Sequence, residues 1–236
     1  MRTLVCGDIH CKPWLLDKAI STTKWDKFVF LGDACDNWGA SQEDNIDILS
    51  KLITYKKEYG ENFVWLLGNH DWGYYDDTIK LTGHILRMSS SVRAILEESI
   101  DLWDLFYSDG KYIYSHAGIS SEFLAETRNI GYKELKTRRG YSNPLNNVGA
   151  ACAGSSPVPS LLWARPQEIH HFPLDEQQIV GHTPVESIQY VNGLLVCDTM
   201  SQYPDGRYIG DKALLLIEDD EKWAISSDTG RKMYEL

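Results

Sequence analysis

Five times in this chain an apolar run of strand length stops at a small residue and gives way to a knot of polar side chains. Thr3 to Cys6 runs into Gly7-Asp8-Ile9-His10, and Phe28 to Leu31 into Gly32-Asp33-Ala34-Cys35-Asp36. Phe63 to Leu67 runs into Gly68-Asn69-His70-Asp71. Tyr112 to Tyr114 runs into Ser115-His116-Ala117-Gly118, and Ile179-Val180 into Gly181-His182-Thr183-Pro184. Strands covered on both faces read as near-continuous apolar runs. In layered α/β sheets polar residues gather at the carboxyl ends of strands, where ligands bind. Between the early runs, Trp14 to Thr23 and Glu43 to Tyr59 carry apolar residues at helical spacing. The order strand, loop, helix, strand therefore predicts an α/β layered fold. In the last third, Ile188–Tyr190, Leu194–Cys197, Ala213–Ile217 and Lys222–Ser226 read as successive strands with turns at Asn192-Gly193 and Asp219-Asp220, expected to be antiparallel. Residues 138–159, rich in Gly, Ser, Asn and Pro, read as a loop passing over the polar face. No repeat or linker interrupts the pattern, so one domain over residues 1–236 is expected.

Composition removes several function classes. The formal net charge of −11 argues against a broad nucleic-acid surface, which needs a basic face. No apolar run approaches the roughly 20 residues that span a bilayer, so no membrane partner is expected. The N-terminus offers only Leu4, Val5 and Cys6 before Gly7-Asp8, which is not a secretory signal. Five cysteines without metal-type CxxC spacing point to reduced thiols and a cytoplasmic location.

An unpaired carboxylate at the edge of a core is costly to desolvate. The clusters supply carboxylate, imidazole and amide oxygen together, a mixed donor set suited to Mn, Fe, Zn and similar divalent ions. Any one cluster taken alone reads as a turn with a satisfied histidine. Five of compatible chemistry, each closing an apolar run, point to metal.

The motifs GDIH (7–10), GDxxD (32–36), GNHD (68–71), SHAG (115–118) and GHTP (181–184), in this order, resemble those of the calcineurin-like metallophosphoesterases. Within that superfamily the chain is most similar to the bacterial and phage serine/threonine phosphoprotein phosphatases, which neighbour the diadenosine tetraphosphatases. The resemblance implies an α/β/β/α sandwich of two mixed sheets flanked by helices. It implies two divalent ions, Mn most readily, with Fe, Zn, Ni or Mg as alternatives. Asp8 and His10 would hold one ion and Asn69, His116 and His182 the other, with Asp33 between them. Two nearby cations need a shared anion, and Asp33 is the carboxylate flanked by both ligand groups. Water shared by the ions would lose a proton near neutral pH and attack phosphorus in line. His70 resembles the family's general acid, with Asp36 as its orienter; the other reading of Asp36 is a helix N-cap or an Asx turn before residues 39–44. Asp71 is read as a local hydrogen-bonding residue.

The chain departs from its relatives after Asp36. Protein phosphatases place a phosphate-gripping arginine there, and this chain has Asn37 and Trp38. Asn37 is therefore the candidate substrate-binding residue at that position, able to donate a hydrogen bond but bringing no charge. Arg165, in Leu161-Leu162-Trp163-Ala164-Arg165, resembles a second phosphate-contacting arginine of bacterial and phage members; Arg138 and Arg139 are weaker candidates. His170, His171 and His84 read as loop or helix-surface residues and Cys35 as a buried filler. The expected activity is phosphomonoester hydrolysis on a phosphorylated protein or a small-molecule or nucleotide phosphate. The alternatives are a phosphodiesterase, a dinucleoside polyphosphate hydrolase, or a non-catalytic scaffold of the same fold.

Overall fold

The structure is a computed structural model and describes residues 1–79, 81, 89–172 and 176–236; His84 lies outside them. Strands β1 (Arg2–Cys6), β2 (Lys27–Phe30) and β3 (Phe63–Trp65) run parallel, with Leu4 opposite Phe28 and Phe28 opposite Phe63. Two helices make the crossovers, α1 (Pro13–Ser21) and α2 (Gln42–Tyr59). Pro13 starts α1 at a position whose N–H would be unpaired in any case. α2 opens with a capping box: Ser41 Oγ accepts the Asp44 N–H at 3.2 Å, and the Asp44 carboxylate accepts the Ser41 N–H at 2.7 Å. The cap is thus Ser41, and the N-cap reading of Asp36 falls.

After β3 come α3 (Asn69–Asp76), α4 (Ser89–Glu98), β4 (Phe106–Ser108), β5 (Tyr112–Ser115), α5 (Ser121–Thr127) and α6 (Tyr132–Thr137). The chain then forms β6 (Gln177–Pro184), β7 (Gln189–Val191), β8 (Leu194–Asp198), β9 (Ala213–Glu218), β10 (Glu221–Ser226) and β11 (Lys232–Glu235). One sheet has the order β11-β10-β9-β1-β2-β3, the other β4-β5-β6-β8-β7. Both are mixed, as the two-sheet sandwich requires. The last third is not one antiparallel run. β7 and β8 form a hairpin through Asn192-Gly193, both at positive φ, yet β8 lies parallel to β6. β9 crosses to the other sheet and pairs antiparallel to β1 and β10.

Alternation along β1 and β2 builds the layers. Leu4, Cys6, Phe28 and Phe30 pack with Leu15 and Leu16 of α1 and Ile48, Leu49 and Leu52 of α2. Val5, Val29 and Leu31 face the opposite way and meet Tyr114, Ile179 and Leu195 of the second sheet. Each fully buried side chain of this kind contributes about 1.5–3 kcal/mol, against roughly 0–1 kcal/mol for a surface ion pair. The two apolar layers therefore set the sandwich, and they leave the carboxyl ends of β1, β2, β3 and β5 opening onto one polar face.

Candidate metal centre

The chain leaves its strands under strain at this face. His10, Asp33, Asp36 and His182 all hold left-handed φ, between 41° and 62°. Such positions cost of order 1–3 kcal/mol each and concentrate where geometry serves a ligand. Two glycines show why the clusters are glycine-led. A Cβ on Gly68 would lie 2.0 Å from Asp33 Oδ1, and one on Gly181 would lie 2.2 Å from Asp8 Oδ1. Only a bare Cα lets each carboxylate take its place. There Asp8 accepts the His182 N–H at 3.0 and 3.1 Å, and Asp33 Oδ1 accepts the His70 N–H at 2.9 Å.

Two donor sets result, Asp8–His10–Asp33 and Asp33–His116–His182, with the donor atoms of each within 4.8 Å of one another. Asn69 joins the second, its Oδ1 lying 2.9 Å from both His116 Nε2 and His182 Nδ1. Asp33 Oδ2 lies 3.5 Å from His116 Nε2 and 3.9 Å from His10 Nε2. The outer ring nitrogens are engaged with backbone: His10 Nδ1 donates to the carbonyls of Asp36 (2.9 Å) and Cys35 (3.2 Å), and His116 Nδ1 to that of Leu31 (2.9 Å). That fixes the tautomers with Nε2 facing inward, the arrangement a metal-ligating histidine needs.

Electrostatics favour cations here. Burial, with Asp198 and Asp33 close by, pushes the Asp8 carboxyl well above its usual range. Burial lowers His10 to about 4, and burial with the Arg165 charge nearby holds His182 well below its ordinary value. The imidazoles thus keep their lone pairs. Asp33 is held ionised: burial opposes this, but His116 and His70 outweigh it. Carboxylates crowded in this way beside the lone pairs of His10 and His182 make donor sets suited to divalent ions.

Next to the donor sets His70 pairs with Asp36, the candidate acid and its orienter. His70 Nδ1 lies 3.0 Å from Asp36 Oδ2, which leaves Nε2 outside that bond, and His70 lines the cleft that holds the donor residues. Burial disfavours the His70 cation, yet Asp33 and Asp36 outweigh it and raise the pKa to about 9. Asp71 does not join this pair. Its carboxylate accepts the N–H groups of Cys35 (2.8 Å), Gly68 (3.0 Å) and Ala34 (3.3 Å), stapling the Asp33–Asp36 loop to the start of α3.

Arg165 lines the same cleft as Asp8, His10, Asp33, Asn69, His70 and His182. Its Nη1 donates to the His182 carbonyl and, at 3.3 Å, to Thr183 Oγ1. Asn37 lies elsewhere, in an adjoining cleft with Trp38, and its Oδ1 accepts the Trp38 N–H at 2.9 Å. Arg138 and Arg139 are engaged away from the centre, pairing with Glu134 and Glu97. His171 pairs with Glu122 at 2.6 Å on the surface. Cys35 is fully buried.

Three side chains at the centre escaped the sequence reading. Tyr74, fully buried on α3, donates its hydroxyl to Asp36 Oδ1 at 2.5 Å, so Asp36 is gripped from both oxygens. Tyr74 follows His70 by four residues and so shares its helix face, a signal present in the sequence. Asp198, which ends the apolar run of β8, is buried beside Asp8, and its carboxylate accepts both the N–H and the hydroxyl of Ser201. Cys152 belongs to the loop over the polar face; its Sγ sits 3.3 Å from Arg165 Nε and 3.7 Å from His182 Nε2.

The profile of the calcineurin-like phosphoesterase family matches residues 1–216 of the chain. Among solved structures, the cold-active protein-tyrosine phosphatase of a psychrophilic Shewanella species superposes with a TM-score of 0.65 at 17% identity, covering 98% of this chain and 79% of that one. A point mutant of a cold-active protein tyrosine phosphatase gives 0.64 at 17% identity over the same shares. A protein serine/threonine phosphatase from Saccharomyces cerevisiae, similar to human PP5, gives 0.60 at 14% identity, covering 92% and 72%. These similarities are to the two-sheet sandwich itself.

Proposed function

The chain belongs to the calcineurin-like phosphoesterases, a family of metal-dependent phosphoester hydrolases, and on that premise we propose that it is a dinuclear phosphomonoesterase of the protein-phosphatase type. The observation that carries the proposal is the position of Asp33, common to both donor sets. Asp8, His10 and Asp33 would hold one ion, and Asp33, Asn69, His116 and His182 the other. The mixed donors suit Mn²⁺ first. Bound there, the ions supply a nucleophilic water and charge stabilisation for the phosphoryl oxygens.

The chain's own residues do the rest. Arg165 binds a phosphoryl oxygen, its guanidinium steadied by the His182 carbonyl and Thr183. His70, with Nδ1 committed to Asp36, holds at Nε2 the proton that the leaving oxygen requires. Asp36 keeps the ring in that orientation, and Tyr74 keeps Asp36 in its own. A complete acid assembly next to complete ligand sets supports catalysis over a scaffold role. The test is turnover of p-nitrophenyl phosphate, its bis ester and a dinucleoside polyphosphate, side by side with Mn²⁺. The monoester is expected to have the highest kcat/KM; a preference for either of the others would overturn the monoester reading.

A further inference from the structure

Two clefts meet at the metal centre and share His10, His70 and Ser201. One contains the donor residues and Arg165. The other leads away past Asp36 and Asn37 to Trp38 and Gln202. We propose that this second cleft is a leaving-group subsite for a single aromatic ring, so that the preferred substrate is an aryl phosphomonoester of the phosphotyrosine type. The inference rests on the phosphomonoesterase reading and adds the substrate class.

Position comes first. His70 stands on the wall common to both clefts, so an ester oxygen protonated there has its phosphoryl group on the Arg165 side. Its leaving group then lies on the Trp38 side. Chemistry points the same way. Apart from His10 and His70, the only ionisable side chain lining the second cleft among the described residues is Asp36, whose two oxygens are taken by His70 and Tyr74. That lining includes no lysine or arginine. A phosphate-bearing leaving group, such as that of a dinucleoside polyphosphate, would enter without a cation to meet it, next to a carboxylate. A neutral ring meets no such penalty.

Trp38 supplies the surface for that ring. It is 52% exposed, an unusual state for the largest apolar side chain. Its backbone is nevertheless held: the Ala40 N–H bonds to the Asn37 carbonyl at 3.0 Å, closing a turn with Trp38 at its corner and Gly39 at φ 77°. Size completes the fit. The cleft has a volume of about 170 Å³, comparable to the cavity of about 150 Å³ that accepts one benzene. It has room for one ring against Trp38.

The test is calorimetric binding of benzylphosphonate and propylphosphonate, which carry the same charge and are not hydrolysed, to the Mn²⁺-loaded protein. An aromatic contact adds about 0.5–1.5 kcal/mol, so wild type should prefer the benzyl ligand by up to about tenfold. Trp38→Ala should abolish the preference, while Trp38→Phe should retain most of it. Absence of the preference in wild type, or its survival in Trp38→Ala, would overturn the subsite. A Trp38-dependent preference without turnover of any phosphomonoester would uphold the subsite and refute the catalytic reading. Binding of neither phosphonate by a protein that turns over a phosphomonoester would overturn the subsite alone.

Discussion

Replacing Tyr74 with phenylalanine removes one hydroxyl and keeps the buried ring, which makes it a selective probe of the acid assembly. Tyr74 and Asp36 are both buried, and their hydrogen bond is short. A hydrogen bond to a charged group contributes about 1.5–3 kcal/mol, so Asp36 loses roughly that much restraint on its rotation. The effect reaches the reaction only through His70, whose general-acid contribution is capped at about 10²–10⁴-fold. Tyr74→Phe should therefore lower kcat about tenfold on phenyl phosphate, where the leaving oxygen is a strong base and needs the proton. On p-nitrophenyl phosphate, with its weakly basic leaving group, the fall should stay under about threefold. KM and bound metal should not change, because the hydroxyl bonds to Asp36, which belongs to neither donor set. Steady-state kinetics on the two esters and metal analysis of the purified variant give the answer. Equal losses on both esters, or loss of metal, would show that Tyr74 supports folding or the ligand sets and does not act through His70.

Gly181→Ala should weaken metal binding about 10–100-fold, the usual effect of disturbing a ligand's support, because the new Cβ would lie 2.2 Å from Asp8 Oδ1; calorimetric titration with Mn²⁺ measures it. Arg165→Ala should lower kcat/KM about 10–100-fold on a phosphomonoester, from the loss of a charge-assisted bond of about 1.5–3 kcal/mol, and less on a diester with one fewer charged oxygen. Kinetics within about twofold of wild type on both substrates would leave Arg165 a structural residue. Removing metal should destabilise the fold. An ion present at about 100 times its Kd adds about 2.7 kcal/mol, so chelation should lower Tm by roughly 5–10 °C for a chain of this size, and an unchanged Tm would mean that no such ion is bound.

The candidate centre is legible because each proposed ligand ends an apolar run, and a buried strand tolerates a polar cluster only where it meets a partner. His10, Asp33, Asn69, His116 and His182 all follow that pattern, and the structure brings them together. Asp198 follows it too, ending the run Leu194–Cys197, but without a histidine beside it the signal was thin. Tyr74 lies outside the five polar clusters, and its bond to Asp36 depends on a helical register relative to His70 that only α3 supplies. Cys152 reaches His182 only through a loop whose path no periodicity encodes. The C-terminal strands are legible but read as one antiparallel run, since hairpin turns at Asn192-Gly193 and Asp219-Asp220 do not reveal which sheet each hairpin joins. β4 and β11 were missed: their side chains alternate around a half-exposed edge and give no continuous apolar run.

That Asp33 joins two metal sites in a phosphoester hydrolase is tested most directly by the Mn²⁺ stoichiometry of wild type and Asp33→Asn. Titration calorimetry and metal analysis measure it, on protein whose phosphomonoesterase activity is followed in parallel. Two ions per wild-type chain are expected, with activity rising as the second binds; in Asp33→Asn both sites should weaken and turnover should be lost. A saturated, active wild type holding one ion per chain, or an Asp33→Asn protein with full activity, would contradict the shared-carboxylate centre.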